Sequence, residues 1–130
     1  MKSCLVVDGS KVIRMVTRRI VEGAGYGVRE AADPGAATAA CGDAMPDLIL
    51  LDWDLPGSGG AEVLRAVREM EGGGGAAVIL CSSQSDPARI SDALAAGADE
   101  YVMKPFDGQI LRSKLELLGL GGSPMAAKLV

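Results

Sequence analysis

Asp8, Asp52 with Asp54, Ser82 with Ser83, and Lys104 each stand where an apolar run gives way to polar residues, in the stretches VVDGS, LILLDWDLPG, ILCSS and YVMKPF. Singly, each has an ordinary explanation: an acid after a strand caps a helix or is solvated, a lysine there is solvated, and a serine belongs to a turn. Gathered at one rim, they support a definite chemistry. Carboxylates brought close repel unless a cation lies between them, and a hard divalent ion with oxygen ligands meets that need. Magnesium fits best, because it keeps several waters and binds through one or two carboxylates plus phosphate oxygens. A carboxylate so placed can attack phosphorus and form an acyl phosphate, with the ion and Lys104 neutralising the equatorial oxygens.

The elements that must bring these residues together are legible as alternating apolar runs and helix-period segments. The strands are CLVV (4–7), YGVREA (26–31), DLILLDWD (47–54), AAVILCSS (76–83) and EYVMKPF (100–106). DLILLDWD is the strongest, a continuous apolar run of the kind buried on both faces. Between them the pattern predicts helices: one with Ile13, Val16 and Ile20 on a single face, ended by Gly23 and Gly25, and an alanine-rich one capped by Asp33 with Pro34 just inside. AEVLRAVREM follows, closed by the glycines 72–75, then a helix capped by Asp86 ahead of Pro87, and a last one striped by Leu111, Leu115 and Leu118. This spacing predicts a (βα)5 doubly wound parallel sheet, and such sheets place their sites at the carboxyl ends of the strands. Residues 1–119 are expected to form one domain and 120–130 a loose tail.

Composition narrows the classes. The chain has 130 residues, 48% of them hydrophobic but only 3% aromatic, so the core must be built from aliphatic side chains. A net charge of −4 without a basic cluster argues against nucleic-acid binding. With no histidine, Ser-His-Asp and Cys-His catalysis and histidine-ligated metals are excluded, and any phosphohistidine must come from a second protein. Cys4, Cys41 and Cys81 are odd in number and far apart, and are read as reduced and structural. The first apolar run is too short for a signal or membrane span, so a cytoplasmic protein without membrane attachment is expected. A flavin or nucleotide binder is disfavoured: DGSKVIR carries one glycine where a phosphate cradle needs several.

VVDGS, LILLDWDLPG, ILCSS and YVMKPF, in this order and spacing over residues 2 to about 118, resemble the receiver domain of two-component response regulators, in a stand-alone form like the chemotaxis regulators. The resemblance implies a flavodoxin-like receiver fold. It implies that Asp52 accepts a phosphoryl group from a phosphohistidine on a histidine kinase or histidine phosphotransfer protein, as in a phosphorelay. It implies Mg2+ at Asp8 and Asp52, with the backbone carbonyl of Trp53 or Asp54, Asp54 by the family pattern, supplying a further ligand; Lys104 as the lysine on the phosphoryl oxygens; and Pro105 as a cis-proline. Ser82 matches the hydroxyl switch position, Ser83 a small residue beside the site, and Tyr101 the aromatic switch, which turns from exposed to buried when Ser82 swings inward. The surface of the fourth helix, fifth strand and fifth helix would then meet a downstream protein.

One position departs from the pattern. The family has two adjacent acids at the first strand's end, and Gly9 stands where the second, a direct magnesium ligand, is expected. Either Asp8 and the Asp54 side chain compensate, leaving a working phosphoacceptor with weakened metal binding, or the domain is a phosphorylation-independent interaction module. Gly59 and Gly60, in place of the usual acid-glycine pair, are expected to loosen the loop after the acceptor strand, and Trp53 to lie exposed beside the site.

Overall fold

The computed structural model describes residues 2–57, 59–83, 87–104 and 106–119. Five strands form one parallel sheet: β1 (Ser3–Val7), β2 (Gly27–Ala31), β3 (Leu48–Asp52), β4 (Ala77–Ser82) and β5 (Glu100–Met103), in the order β2-β1-β3-β4-β5. The helices between and after them are α1 (Lys11–Gly23), α2 (Pro34–Asp43), α3 (Gly59–Glu69), α4 (Pro87–Ala95) and α5 (Gly108–Leu117). The expected doubly wound architecture is therefore present. Its topological switch point lies between β1 and β3, where a crevice opens at the strands' carboxyl ends.

Alternation along the strands builds two cores. Leu5 and Val7, Ile49 and Leu51, and Val78 and Leu80 pack with Ala37, Cys41, Val63, Leu64, Val67 and Ala93 from α2, α3 and α4. Their neighbours Cys4 and Val6, Leu48 and Leu50, Ile79 and Cys81, and Val102 pack with Val21, Leu111 and Leu115 from α1 and α5. Because side chains alternate with a period of two, this parity decides which strand-end residues can meet. Asp8, Asp52 and Lys104 continue the α1/α5 side, whereas Ser82 and Tyr101 belong to the α2/α3/α4 side.

Local signals behave as their chemistry requires, with four differences. Asp33 caps α2, accepting the Ala36 N–H at 2.8 Å, and Pro34 opens the helix. In α1, however, the buried positions are Thr17 and Val21, while Val16 is 51% exposed. The helix turns its smaller Thr17 toward the crevice, and Val16 faces a groove described below. β3 ends at Asp52 and β5 at Met103, because the chain leaves the sheet to form the rim. Gly59 and Gly60 lie in the first turn of α3 and are buried, not in a loosened loop. A Cβ on Gly60 would stand 2.9 Å from Trp53 Cε3 and 3.1 Å from the Asp52 carbonyl oxygen, so the glycine permits close approach of helix to strand end. Trp53 is accordingly half-buried against the core rather than exposed. Asp86, the expected cap of α4, and residues 120–130 lie outside the described residues. Among the described residues no helix is long and apolar enough to cross a membrane.

Candidate functional site

Asp8 and Asp52 organise their own loops in the same way. Asp8 Oδ1 accepts the Ser10 N–H at 2.8 Å, and Asp52 Oδ1 accepts the Asp54 N–H at 2.9 Å, each a turn closed by a carboxylate two residues back. Ser10 then caps α1 by accepting the Ile13 N–H, and Arg14 from that helix donates to the Asp8 carbonyl at 2.7 Å. Lys104 arrives from β5, its N–H bonded to the Ser82 carbonyl as one more rung of the β4 ladder. Its ammonium lies 2.7 Å from Asp8 Oδ2 and 3.0 Å from Asp52 Oδ1. The side chains are 7% (Asp8), 9% (Asp52) and 13% (Lys104) exposed, so the three charges interact with little screening. Burial pushes the Lys104 ammonium toward deprotonation, but its bonds to Asp8 and Asp52 outweigh that and hold its pKa above the ordinary value.

Asp52 Oδ2 is left over. Among the described residues it has no hydrogen-bond partner, and it is not sealed from solvent. One oxygen is thus fixed by two donors while the other presents its lone pairs at the crevice, the arrangement a carboxylate nucleophile needs. An apolar groove of about 420 Å³ lies alongside, lined by Val12, Ile13, Val16, Thr17 and Phe106 and reaching Lys104, Asp54 and Ser83.

Asp54 does something else. Its carboxylate takes the Ser82 hydroxyl at 2.7 Å and Arg89 Nη2 at 3.0 Å on Oδ1, and the Ser83 N–H at 2.9 Å and hydroxyl at 3.1 Å on Oδ2. Burial raises its pKa, and the Ser82, Ser83 and Arg89 contacts together overcome this and hold it below the ordinary value. With both oxygens so engaged, Asp54 does not join Asp8 and Asp52 as a third carboxylate for an ion. Among the described residues no three acidic, cysteine or histidine side chains form a metal-holding group. The side-chain donors that remain for a hard divalent ion are Asp8 and Asp52, whose oxygens suit magnesium in kind, beside the Asp54 backbone carbonyl that the resemblance names. Gly9 beside them is exposed, and a Cβ there would meet Leu55 Cδ2 only at 3.9 Å and the Ala32 carbonyl at 4.0 Å.

Ser82 and Tyr101 share the α2/α3/α4 side, as alternation requires. Tyr101 is only 7% exposed, so the aromatic ring expected to turn inward on activation is already inside. Pro105, the expected cis-proline, lies outside the described residues. Arg89 was not singled out in the sequence, 35 residues from the carboxylate it pairs with. Its signal was its place: the first turn of a helix at the strands' carboxyl end, where a cation opposes the helix dipole.

Residues 4–116 match the family model described as the response regulator receiver domain. The chain belongs to the response regulator receiver domain family. This receiver is 36% identical over 115 residues to the phosphate regulon transcriptional regulatory protein PhoB of Pseudomonas aeruginosa, covering 88% of the chain and 50% of PhoB. It is 31% identical over 119 residues to the chemotaxis protein CheY of the same organism, covering 86% of the chain and 91% of CheY. It thus spans half of the one relative and nearly all of the other. The structure of the chemotaxis protein CheY4 of Vibrio cholerae superposes with a TM-score of 0.84 at 30% identity, covering 90% of this chain and 98% of that one. Receivers of this family work in two-component signal transduction, interact with histidine kinases or phosphotransfer proteins and with downstream targets, and typically use Mg2+.

Proposed function

We propose that this receiver accepts a phosphoryl group on Asp52 and signals through protein contacts. The observation that carries the reading is the division of labour within one carboxylate: Oδ1 is held by Lys104 and the Asp54 N–H, and Oδ2 is open at the crevice. The donor is a phosphohistidine on a kinase or phosphotransfer protein, because the chain has no histidine of its own. In the transfer, Oδ2 forms a bond to phosphorus as the phosphorus–nitrogen bond breaks, and the leaving imidazole nitrogen keeps the electron pair. Lys104, already between Asp8 and Asp52, is placed to take the charge gathered on the phosphoryl oxygens. Asp8 and Asp52 are the side chains that would hold magnesium, which when bound supplies further neutralisation of those oxygens. The setting is the cytoplasm, where such domains usually work, and the surface that changes is the face of α4, β5 and α5.

Three observations favour a second reading, in which the domain binds partners without phosphorylation. Gly9 removes one acid, Tyr101 is already buried, and the Ser82 hydroxyl is already held by Asp54. The test is phosphoryl uptake from phosphoramidate with magnesium, read by intact mass, in the parent and in Asp52→Asn. Uptake in the parent alone supports the acceptor reading, and none in either supports the second.

A further inference from the structure

Two arginines are used in opposite ways. Arg68 binds through every nitrogen: Nε to the Gly97 carbonyl at 3.1 Å, Nη1 to those of Gly73 at 2.8 Å and Ala76 at 2.6 Å, and Nη2 to Gly97 at 2.6 Å and Asp99 at 3.0 Å. It staples α3 to the β5 entry at the far end of the sheet. Among the described residues Arg89 uses a single nitrogen, Nη2, for Asp54 Oδ1 at 3.0 Å and the Trp53 carbonyl at 3.3 Å, and its Nε–H is buried without an acceptor there. A guanidinium that leaves a buried donor unmatched, in the first turn of a helix whose dipole opposes it, is not held there by good bonding. What it gains is the charge of Asp54.

That charge matters because of where it sits. Asp54 follows the acceptor by two residues, and its own N–H fixes Asp52 Oδ1. A phosphoryl donor approaches as an anion, so a bare carboxylate beside the acceptor repels it. The same carboxylate holds the Ser82 hydroxyl and both Ser83 donors, which stabilise it without changing its charge, and Arg89 is the cation that offsets it.

We propose that Arg89 is a positioning residue for phosphoryl uptake at Asp52, acting through Asp54 by cancelling that carboxylate's charge and fixing it against the end of β4. The inference rests on the reading of Asp52 as the acceptor. With phosphoramidate, Asp52 Oδ2 bonds to phosphorus as the phosphorus–nitrogen bond breaks, and the nitrogen, already fully protonated on the donor, leaves with the electron pair as ammonia.

The experiment measures initial rates of uptake from phosphoramidate, with magnesium in excess, by intact mass across donor concentrations at low and high salt. Arg89→Ala is expected to lower kcat/KM about tenfold, mainly through KM. The gap should narrow at high salt, and Arg89→Lys should recover most of the rate. With Asp54→Asn as background, Arg89→Ala should change the rate by less than about twofold, since the charge it serves is gone. A parental rate in Arg89→Ala overturns the proposal, and so does an undiminished loss in the Asp54→Asn background, which would put Arg89 on the phosphoryl group itself. If Arg89→Ala does not fold, Arg89→Gln keeps the bulk without the charge and carries the same expectation. Equal modification of the parent and Asp52→Asn, or none of either, defeats the acceptor reading and this inference with it.

Discussion

The ammonium of Lys104 stands 2.7 Å from Asp8 and 3.0 Å from Asp52, one cation serving acids from two strands. Their meeting follows from parity: all three continue the α1/α5 side of the sheet, at the switch point where β1 and β3 adjoin. The cluster carries two negative charges against one positive, so its two kinds of member are not equivalent. Removing the lysine leaves two buried carboxylates with nothing between them; removing one acid leaves a matched pair.

Lys104→Met should therefore cost about 3 kcal/mol of stability, in the range for stripping one partner from a buried ion pair. Asp52→Asn should cost far less. Urea unfolding of both variants without divalent ions checks this, and equal losses would mean that the cluster's charge imbalance does not govern its stability.

Gly9 marks a vacancy of charge rather than of space. A Cβ there makes only ordinary contact with Leu55 and Ala32, and the backbone is not in the left-handed region. Gly9→Asp should fold and should tighten magnesium binding on the order of tenfold, because a carboxylate replaces a water among the ion's ligands. Without the ion the same change should destabilise, since a third acid joins a cluster already negative. Trp53 fluorescence titrated with magnesium measures the first effect and urea unfolding the second. Equal affinities in the two proteins would show that position 9 does not reach the ion.

Gly60 is fixed by contact. A methyl group 2.9 Å from the Trp53 ring and 3.1 Å from the Asp52 carbonyl must move one or the other. Gly60→Ala should cost about 1–3 kcal/mol and shift Trp53 emission, through overpacking beside Asp52. Gly74→Ala, with nothing within 4 Å of its added carbon, is the control and should leave Trp53 emission unchanged. Matching melting curves for Gly60→Ala and the parent would contradict the close approach.

How much of this could be read beforehand follows from the range over which each signal acts. The strands, the Asp33 cap and the strand-end positions of Asp8, Asp52 and Lys104 are local or periodic, and all were legible. The inward face of α1 was not: Val16 has the more apolar side chain, yet Thr17 is the buried one, and both line the groove beside Lys104. Gly59 and Gly60 look like loop residues until the helix start is laid against Trp53. The resemblance names Asp54 as a metal ligand through its backbone carbonyl or its side chain, and says nothing of what else the side chain would hold. The partners of that carboxylate, Ser82, Ser83 and Arg89, come from β4, its following turn and α4, at separations that no local pattern encodes. Tertiary contact decided these positions, and it decided them at the rim where the strand ends meet.

Glu30 links the loop after β1 to pH. It accepts from Arg18 at 2.8 Å and Arg14 at 3.2 Å, and Arg14 also holds the Asp8 carbonyl. The hydrogen bond from Arg18 is the main cause that keeps the Glu30 carboxyl below its ordinary 4.5; slight burial works against it, and Arg14 adds to the lowering. A carboxylate whose pKa is depressed by folding contributes stability at pH values above its unfolded pKa, and that contribution is lost as pH falls through the folded one. The effect is modest, because the groups are partly exposed and screened. Protonation also frees Arg14 from one of its anchors, so the loop carrying Asp8 and Gly9 should loosen in the same window. Urea midpoints taken from neutral pH down to about pH 3 should fall more steeply for the parent than for Glu30→Gln. Protection of the Ser10 amide, whose N–H is bonded to Asp8, taken relative to its intrinsic exchange rate at each pH, should fall over that range in the parent and start out lower in Glu30→Gln. Parallel slopes and unchanged exchange would show that Glu30 does not hold this loop through Arg14.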